Sequence, residues 1–266
     1  MRAVVATLFL SICGLALADG TELLGPNRFP QFRDMSGLTG SGFAVDANGF
    51  VTTRGAISLS TPIGYTLASG KWAVGFASRS HNSKFAFINS DNATANKSDG
   101  TGQIMRGWKV GNGNMALSSM WLSTELDSVQ HIQWSPYITN DQAWGWSVGI
   151  HNWTQRGHAA GDSNPAADAK NSLSVFFATT KMVGEDNYLT LGVGTTRYKG
   201  LFGSYCHQLT DRSKFFIEND TFNFNYGLSY GIPMKYKSFD GADAHLFLTA
   251  GFVRGKLATW TFNYTF

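Results

Sequence analysis

From about residue 54 onward, apolar and polar positions alternate with a period of two, the pattern of strands whose two faces meet different surroundings. Phe222, Phe224, Tyr226, Leu228, Tyr230 and Ile232 fall on one side of such a segment, and Asn223, Asn225, Gly227, Ser229 and Gly231 on the other. Trp146, Val148 and Ile150 stand against Gly145, Ser147 and Gly149, and Leu189, Leu191 and Val193 against Thr190, Gly192 and Gly194. The spacing predicts twelve strands: Arg54–Leu67, Lys71–Ser78, Gln103–Gly111, Met115–Ser123, Val129–Ile138, Ala143–Trp153, Ser172–Lys181, Asn187–Tyr198, Ser213–Asn219, Phe222–Ile232, Ala244–Val253 and Leu257–Phe266. The first two read as a hairpin turning at Ala68-Ser69-Gly70. Met115–Ser123 has mixed faces and Pro136 interrupts its segment, so ten to fourteen strands are compatible with the pattern. Arg106 falls on the apolar face of Ile104, Trp108 and Val110, where a mid-membrane position costs about 2–4 kcal/mol. Either an interfacial position or a register-shifting bulge is expected there.

The chain opens differently. Met1-Arg2, an apolar run from Ala3 to Leu17 and the small-x-small triplet Ala16-Leu17-Ala18 read as a Sec-type leader, residues 1–18, with an apolar core too short for a comfortable membrane helix. Residues 19–50 lack alternation and carry Pro26 and Pro30, an expected periplasmic arm or plug-like segment. Its Leu23, Leu24, Phe29, Phe32 and Leu38 could cover one mouth of a barrel formed by residues 51–266.

Composition separates two architectures that both alternate. In a soluble sandwich the second face meets bulk water and is rich in charge. Here only 15% of the chain is charged and 14% is aromatic, and the second face is Gly, Ser, Ala, Thr and Asn, the composition of a crowded lumen. Many aromatics fall towards strand ends, among them Tyr65, Trp72, Trp121, Tyr188, Tyr198 and Tyr230, as the girdles of membrane barrels require. The expected fold is all-β: a transmembrane antiparallel up-and-down β-barrel of about twelve strands. The competing reading is a secreted β-sandwich that binds glycans through exposed Trp108, Trp144 or Trp153.

In the last segment Ala258, Trp260, Phe262, Tyr264 and Phe266 alternate with Leu257, Thr259, Thr261, Asn263 and Thr265. This resembles the C-terminal β-signal of bacterial outer-membrane proteins, and the resemblance implies that Trp260, Phe262, Tyr264 and Phe266 are read by the barrel-assembly machinery. Phe216-Ile217-Glu218-Asn219-Asp220 followed by Phe224-Asn225-Tyr226-Gly227-Leu228-Ser229-Tyr230 is similar to strand pairs of YjbH-type barrels linked to exopolysaccharide export. That likeness implies a role accessory to polysaccharide or other envelope transport. If Phe266 ends in the periplasm, counting strands back puts the short links (68–70, 184–186, 254–256) outside. The long ones (79–102, 154–171, 199–212, 233–243) would then face the periplasm, the reverse of the porin arrangement. Either a strand is miscounted or the larger surface faces inward.

Charge and candidate chemistry change this picture little. A net charge of +3, or +2 once Arg2 leaves with the leader, points to no nucleic-acid partner. Loss of the leader removes Cys13 and leaves Cys206 alone, so the mature chain has neither disulfide nor cysteine metal cluster. Lys109, Arg197 and Glu218 are candidate lumen-lining residues from strand parity. Catalysis would need a nucleophile, a base and an orienting group at one site. Ser163-Asn164 lies five residues beyond His158, the wrong spacing for a barrel lipid hydrolase, the third function class. His131 and His151 read as hydrogen-bonded lumen histidines. Asp91, Asn92, Asn96, Asp99 and Gly100 lack the ligand alternation and terminal Glu of a calcium loop. The residues therefore predict no enzyme and no cofactor. They predict a passive narrow channel or envelope scaffold of the outer membrane, reached by Sec export. Its expected partners are outer-membrane lipid, the assembly machinery and periplasmic envelope proteins.

Overall fold

The structure is a computed structural model that describes residues 35–81, 84–85, 100–122, 127–138, 143–156, 170, 172–221, 224–237, 243–253 and 257–266. Twelve antiparallel strands form one ring: β1 (Trp72–His81), β2 (Gly100–Val110), β3 (Gly113–Leu122), β4 (Asp127–Pro136), β5 (Gly145–His151) and β6 (Ser174–Met182), then β7 (Tyr188–Gly194), β8 (Gly200–Gln208), β9 (Ser213–Asn219), β10 (Phe224–Lys237), β11 (Asp243–Val253) and β12 (Leu257–Thr265). Each strand pairs with its sequence neighbour, and β12 returns to β1 with Ala73 opposite Thr265 and Arg79 opposite Thr259. Trp72 and Phe266 exchange backbone bonds of 2.7 and 3.0 Å at one rim. The closure leaves no free sheet edge, which alternation alone could not show. A two-residue ladder, Lys84–Phe85, folds back on the end of β1 outside the ring.

The pleat sorts the side chains. Phe76, Trp146, Phe177, Leu228, Tyr230, Leu248 and Phe262 are exposed on the outer wall, Leu228 at 54%. Ser147, Thr180, Ser204, Asn225, Thr249 and Asn263 are buried on the inner wall. Water favours the opposite arrangement, so this outer wall belongs in an apolar solvent. Among the described residues no helix is long and apolar enough to cross a membrane.

Two strand assignments from the sequence need correcting. Arg54–Leu67 is not a strand of the ring, and its expected hairpin with Lys71–Ser78 does not form. The segment runs inside the barrel, where both of its faces are buried, and Ile57, Leu59, Ile63 and Tyr65 expose no more than 1% of their surface. Alternation persists because the apolar side meets a core while the polar side meets the wall. Pro62, in the middle of the run, is the residue that argues against a central strand. Conversely, β8 lies within residues 199–212, which the pattern assigns to a link. Its apolar residues are split, with Phe202 and Cys206 inside and Leu201 outside next to Gly203 and His207, so neither face stands out. The two errors cancel in the strand count.

They do not cancel in the topology. With β8 in place, β1 and β5 end, at His81 and His151, opposite the Phe266 rim, while 111–112, 183–187 and 209–212 turn at the Phe266 end. One missing strand had reversed the sides of the links before it, 79–102, 154–171 and 184–186, while links 233–243 and 254–256, after it, keep theirs. No bulge occurs at Arg106, because the β1–β2 register runs unbroken from Trp72↔Arg106 to Ser78↔Gly100. The irregularity in the ladder falls instead between Pro233 and Lys237.

Candidate functional site

The feature that decides what the barrel can do is its interior. Residues Met35 to Lys71 enter the lumen without joining the ladder, making isolated bridges such as Val45↔Ala56 and Ser41↔Ser58. Phe43, Val45, Ile57, Leu59, Ile63, Tyr65 and Leu67 form a core with wall residues Met105, Tyr188, Cys206, Phe216 and Phe247. Each large side chain buried in this way contributes about 1.5–3 kcal/mol. Tyr65 meets Tyr188 edge to face at 6.1 Å. The lumen is thus filled by a small folded plug.

A plug carries backbone N–H and C=O groups that have no ladder partners, and each must be satisfied by the wall. The densest contact is at Glu218 on β9. One carboxylate oxygen accepts from the Leu59 and Thr61 N–H groups (3.0 and 3.3 Å) and the Thr61 hydroxyl (2.8 Å). The other accepts from the Ser60 N–H and hydroxyl and from Asn225 Nδ2, each at 2.8 Å. Three successive amides converging on one anion make a backbone nest. Beside it, Arg197 and Asp220 form a fully buried pair at 3.4 Å, and Arg197 also donates to the Asp220 carbonyl and the Ser60 carbonyl.

Around the ring the contacts repeat in neutral form. Gln133 on β4 takes the Thr39 N–H on its oxygen and donates to the Ile63 and Tyr65 carbonyls. Ser118 on β3 donates to the Gly37 carbonyl, Ser147 on β5 to that of Ile63, and Asn263 on β12 to that of Gly42. Gly64 donates to the Thr180 hydroxyl on β6 at 2.7 Å. At the Phe266 end the tie is ionic and exposed: Arg54 reaches Asp211 at 2.5 Å and Asp186 at 2.9 Å, on two different turns. Those carboxylates, Asp211 first, hold the guanidinium above its ordinary pKa. Exposed pairs of this kind are screened by solvent and contribute little, so the internal clamp dominates.

The sequence-predicted residues fall as follows. Glu218 points inward and holds the plug. Arg197 lies in a 3-10 turn, Thr196–Tyr198, between β7 and β8 rather than on a strand. Lys109 is exposed at the rim end of β2 and takes no part in the interior. Trp260, Phe262 and Tyr264 face outward on β12, and Phe266 stacks on Trp72 at 6.3 Å. His131 and His151 stack face to face at 4.0 Å, both buried. His131 Nδ1 accepts from the Asn152 N–H, and His151 Nε2 binds the Ser36 carbonyl of the plug. Ser163 and His158, and the loop from Ser90 to Asp99, lie outside the described residues. Among the described residues no cluster of metal ligands occurs. Parity put Asn225 and Asn263 on polar faces but named neither as a site residue, nor Gln133, Asp220 or Arg54, because their roles arise only once a plug is present.

No protein-family model matches the chain, and no curated protein sequence does. Among solved structures it is similar to the KdgM porin, at 9% identity and a TM-score of 0.44 over 74% of this chain and 98% of that one. A structure described as KdgM porin in complex with disordered oligogalacturonate is similar at 8% identity and 0.43, over 73% and 98%. The COG4313 outer membrane channel from Pseudomonas putida F1 follows at 12% identity and 0.38, over 78% and 99%. At these values the likenesses carry nothing further, and the barrel rests on its own closed ladder.

Proposed function

We propose that the chain is a Sec-exported outer-membrane barrel that serves as a plugged channel, closed at rest by its own N-terminal segment. The rim carrying Trp72 and Phe266 faces the periplasm in this reading, and links 82–99 and 152–173 face outward. The observation that carries it is the grip of Glu218 on Leu59, Ser60 and Thr61. Beside the apolar core, this wall presents hydroxyls, amides and a carboxylate to a segment joined to it by no continuous ladder, where a permanent filling would need apolar packing alone. Such a plug can leave without breaking a single strand pair, and the wall it exposes can be wetted.

Planar-bilayer recording of the refolded protein tests this. The wild type is expected to be silent apart from rare openings, and Glu218→Ala to conduct steadily. Silence in both, with folding intact, favours the second reading, a scaffold whose plug is structural. The finer role, accessory to polysaccharide or other envelope traffic, is supported by the strand-pair resemblance over residues 216–230. Liposome swelling with charged and neutral oligosaccharides tests it, using Glu218→Ala as the open form. Neither reading calls for catalysis.

A further inference from the structure

Outside the lumen, one place on the outer wall is built unlike the rest. Across β2, β3 and β4 a groove of about 290 Å³ runs from Trp72, at the rim shared with Phe266, past Trp108 and Arg106 to Trp153, which follows β5 at its opposite end. Its lining includes Arg106, opposite the apolar Leu117 in the register, Ser119, opposite Ile104, and Gln130, opposite Ser119. The Arg106 guanidinium lies over the rings of Trp72 and Trp108, at 4.9 and 5.2 Å. Its buried Nε has no hydrogen-bond partner, and among the described residues no carboxylate bridges it. The cation is therefore held in place by aromatic faces and, among the described residues, has no counter-charge.

From these observations we infer that the groove is a binding site for one anionic glycerophospholipid of the periplasmic leaflet, its phosphate on Arg106 and an acyl chain along Leu117 and Ile104. The inference rests on the outer-membrane reading above. Arg106 stands four residues before the end of β2, which at about 3.3 Å per residue and a tilt of about 40° sets it roughly 10 Å inside the rim. A long side chain at that depth reaches headgroup level by snorkelling. The depth also selects the lipid, since this rim is the one shared with Phe266. Charge complementarity selects the headgroup, because a guanidinium pairs with a phosphate in bidentate fashion. Ser119, opposite Ile104 and so two positions deeper than Arg106, supplies a hydroxyl for an ester oxygen, while Gln130 Nε2 is held by Ser128 at 3.3 Å. A bare hydrocarbon solvent would leave the Arg106 guanidinium unsatisfied.

Native mass spectrometry of the full-length protein, released from nanodiscs of mixed phosphatidylglycerol and phosphatidylcholine, reads the site directly. The wild type is expected to retain one phosphatidylglycerol, and Arg106→Gln to retain it roughly tenfold less, the loss of one charge-assisted pair. Ser119→Phe, which fills the groove without touching the charge, is expected to give a similar loss. Arg106→Lys should fall between, keeping the charge and losing the stacked fork. Equal retention of both lipids, retention unchanged by Arg106→Gln, or exchange for lipopolysaccharide would overturn the assignment. So would a dimer that disperses in Arg106→Gln. Heat-modifiable mobility and resistance to carbonate extraction are recorded on the same samples. Their loss in the wild type would refute the membrane reading itself, whereas their presence with no bound lipid would refute the site alone.

Discussion

At the residue scale the most informative position is Glu218. Strand parity placed it on an inner face, because Phe215 and Ile217 alternate with it, and that much needs only a period of two. What it holds was not legible, since its partners Leu59, Ser60 and Thr61 lie about 160 positions away and carry no charge to announce a site. The geometry makes a specific demand: six donors face two oxygens that must both accept. Glu218→Gln keeps the shape but turns one acceptor into a donor, leaving two or three donors opposed. Hydrogen bonds to a charged group contribute about 1.5–3 kcal/mol each and do not add fully, so a loss of about 2–4 kcal/mol in plug docking is expected. Amide exchange at Leu59, Ser60 and Thr61 should then accelerate roughly 30- to 1000-fold, with exchange in β9 and β10 unchanged. Wild-type protection in the variant would show that some other contact anchors the segment.

At the element scale, strands with one consistently apolar face were legible from hydrophobic contrast alone, as β5, β7, β10 and β12 show. That contrast fails in two informative places. A plug buried on both sides can alternate like a membrane strand, and a strand such as β8, with Phe202 inside and His207 outside, can lose its contrast altogether. How the plug seats is equally local. A Cβ on Gly64 would stand 2.5 Å from the Thr180 nitrogen and 2.7 Å from the Gly145 oxygen, both backbone atoms of the wall. Neither can yield without disturbing the β5–β6 pair, so Gly64→Ala should unseat the plug rather than deform the ring. Cys206 can report this, as it is the chain's one cysteine besides Cys13 and lies buried in the plug's core. Maleimide labelling of the folded wild type should be slow, and about tenfold or more faster in Gly64→Ala if the plug spends even a tenth of its time displaced. Equal labelling rates would mean that the plug moves aside as a whole without exposing this core.

For the whole molecule, the question is whether the barrel depends on what fills it. The ladder is closed by β12 on β1 over seven residue pairs, and every inter-strand bond of the ring lies between wall residues. Apolar burial on the outside is supplied by the surrounding solvent rather than by the plug. An eight-stranded barrel is filled by its own side chains, and sixteen strands leave an aqueous channel. Twelve strands with a small-residue inner face lie between, wide enough to hold a folded segment and to hold water once it is gone. Removing residues 35–70, so that residue 34 is joined to Lys71 just before β1, should therefore yield a chain that still runs as a compact, heat-modifiable band on a cold gel. The same chain should conduct steadily in bilayers. What it forfeits is the plug's apolar core, so its unfolding midpoint in denaturant should drop while the ring's cooperativity persists. If the shortened chain instead fails to acquire the compact band, the plug is a template on which the strands close, and the barrel and its contents form a single folding unit.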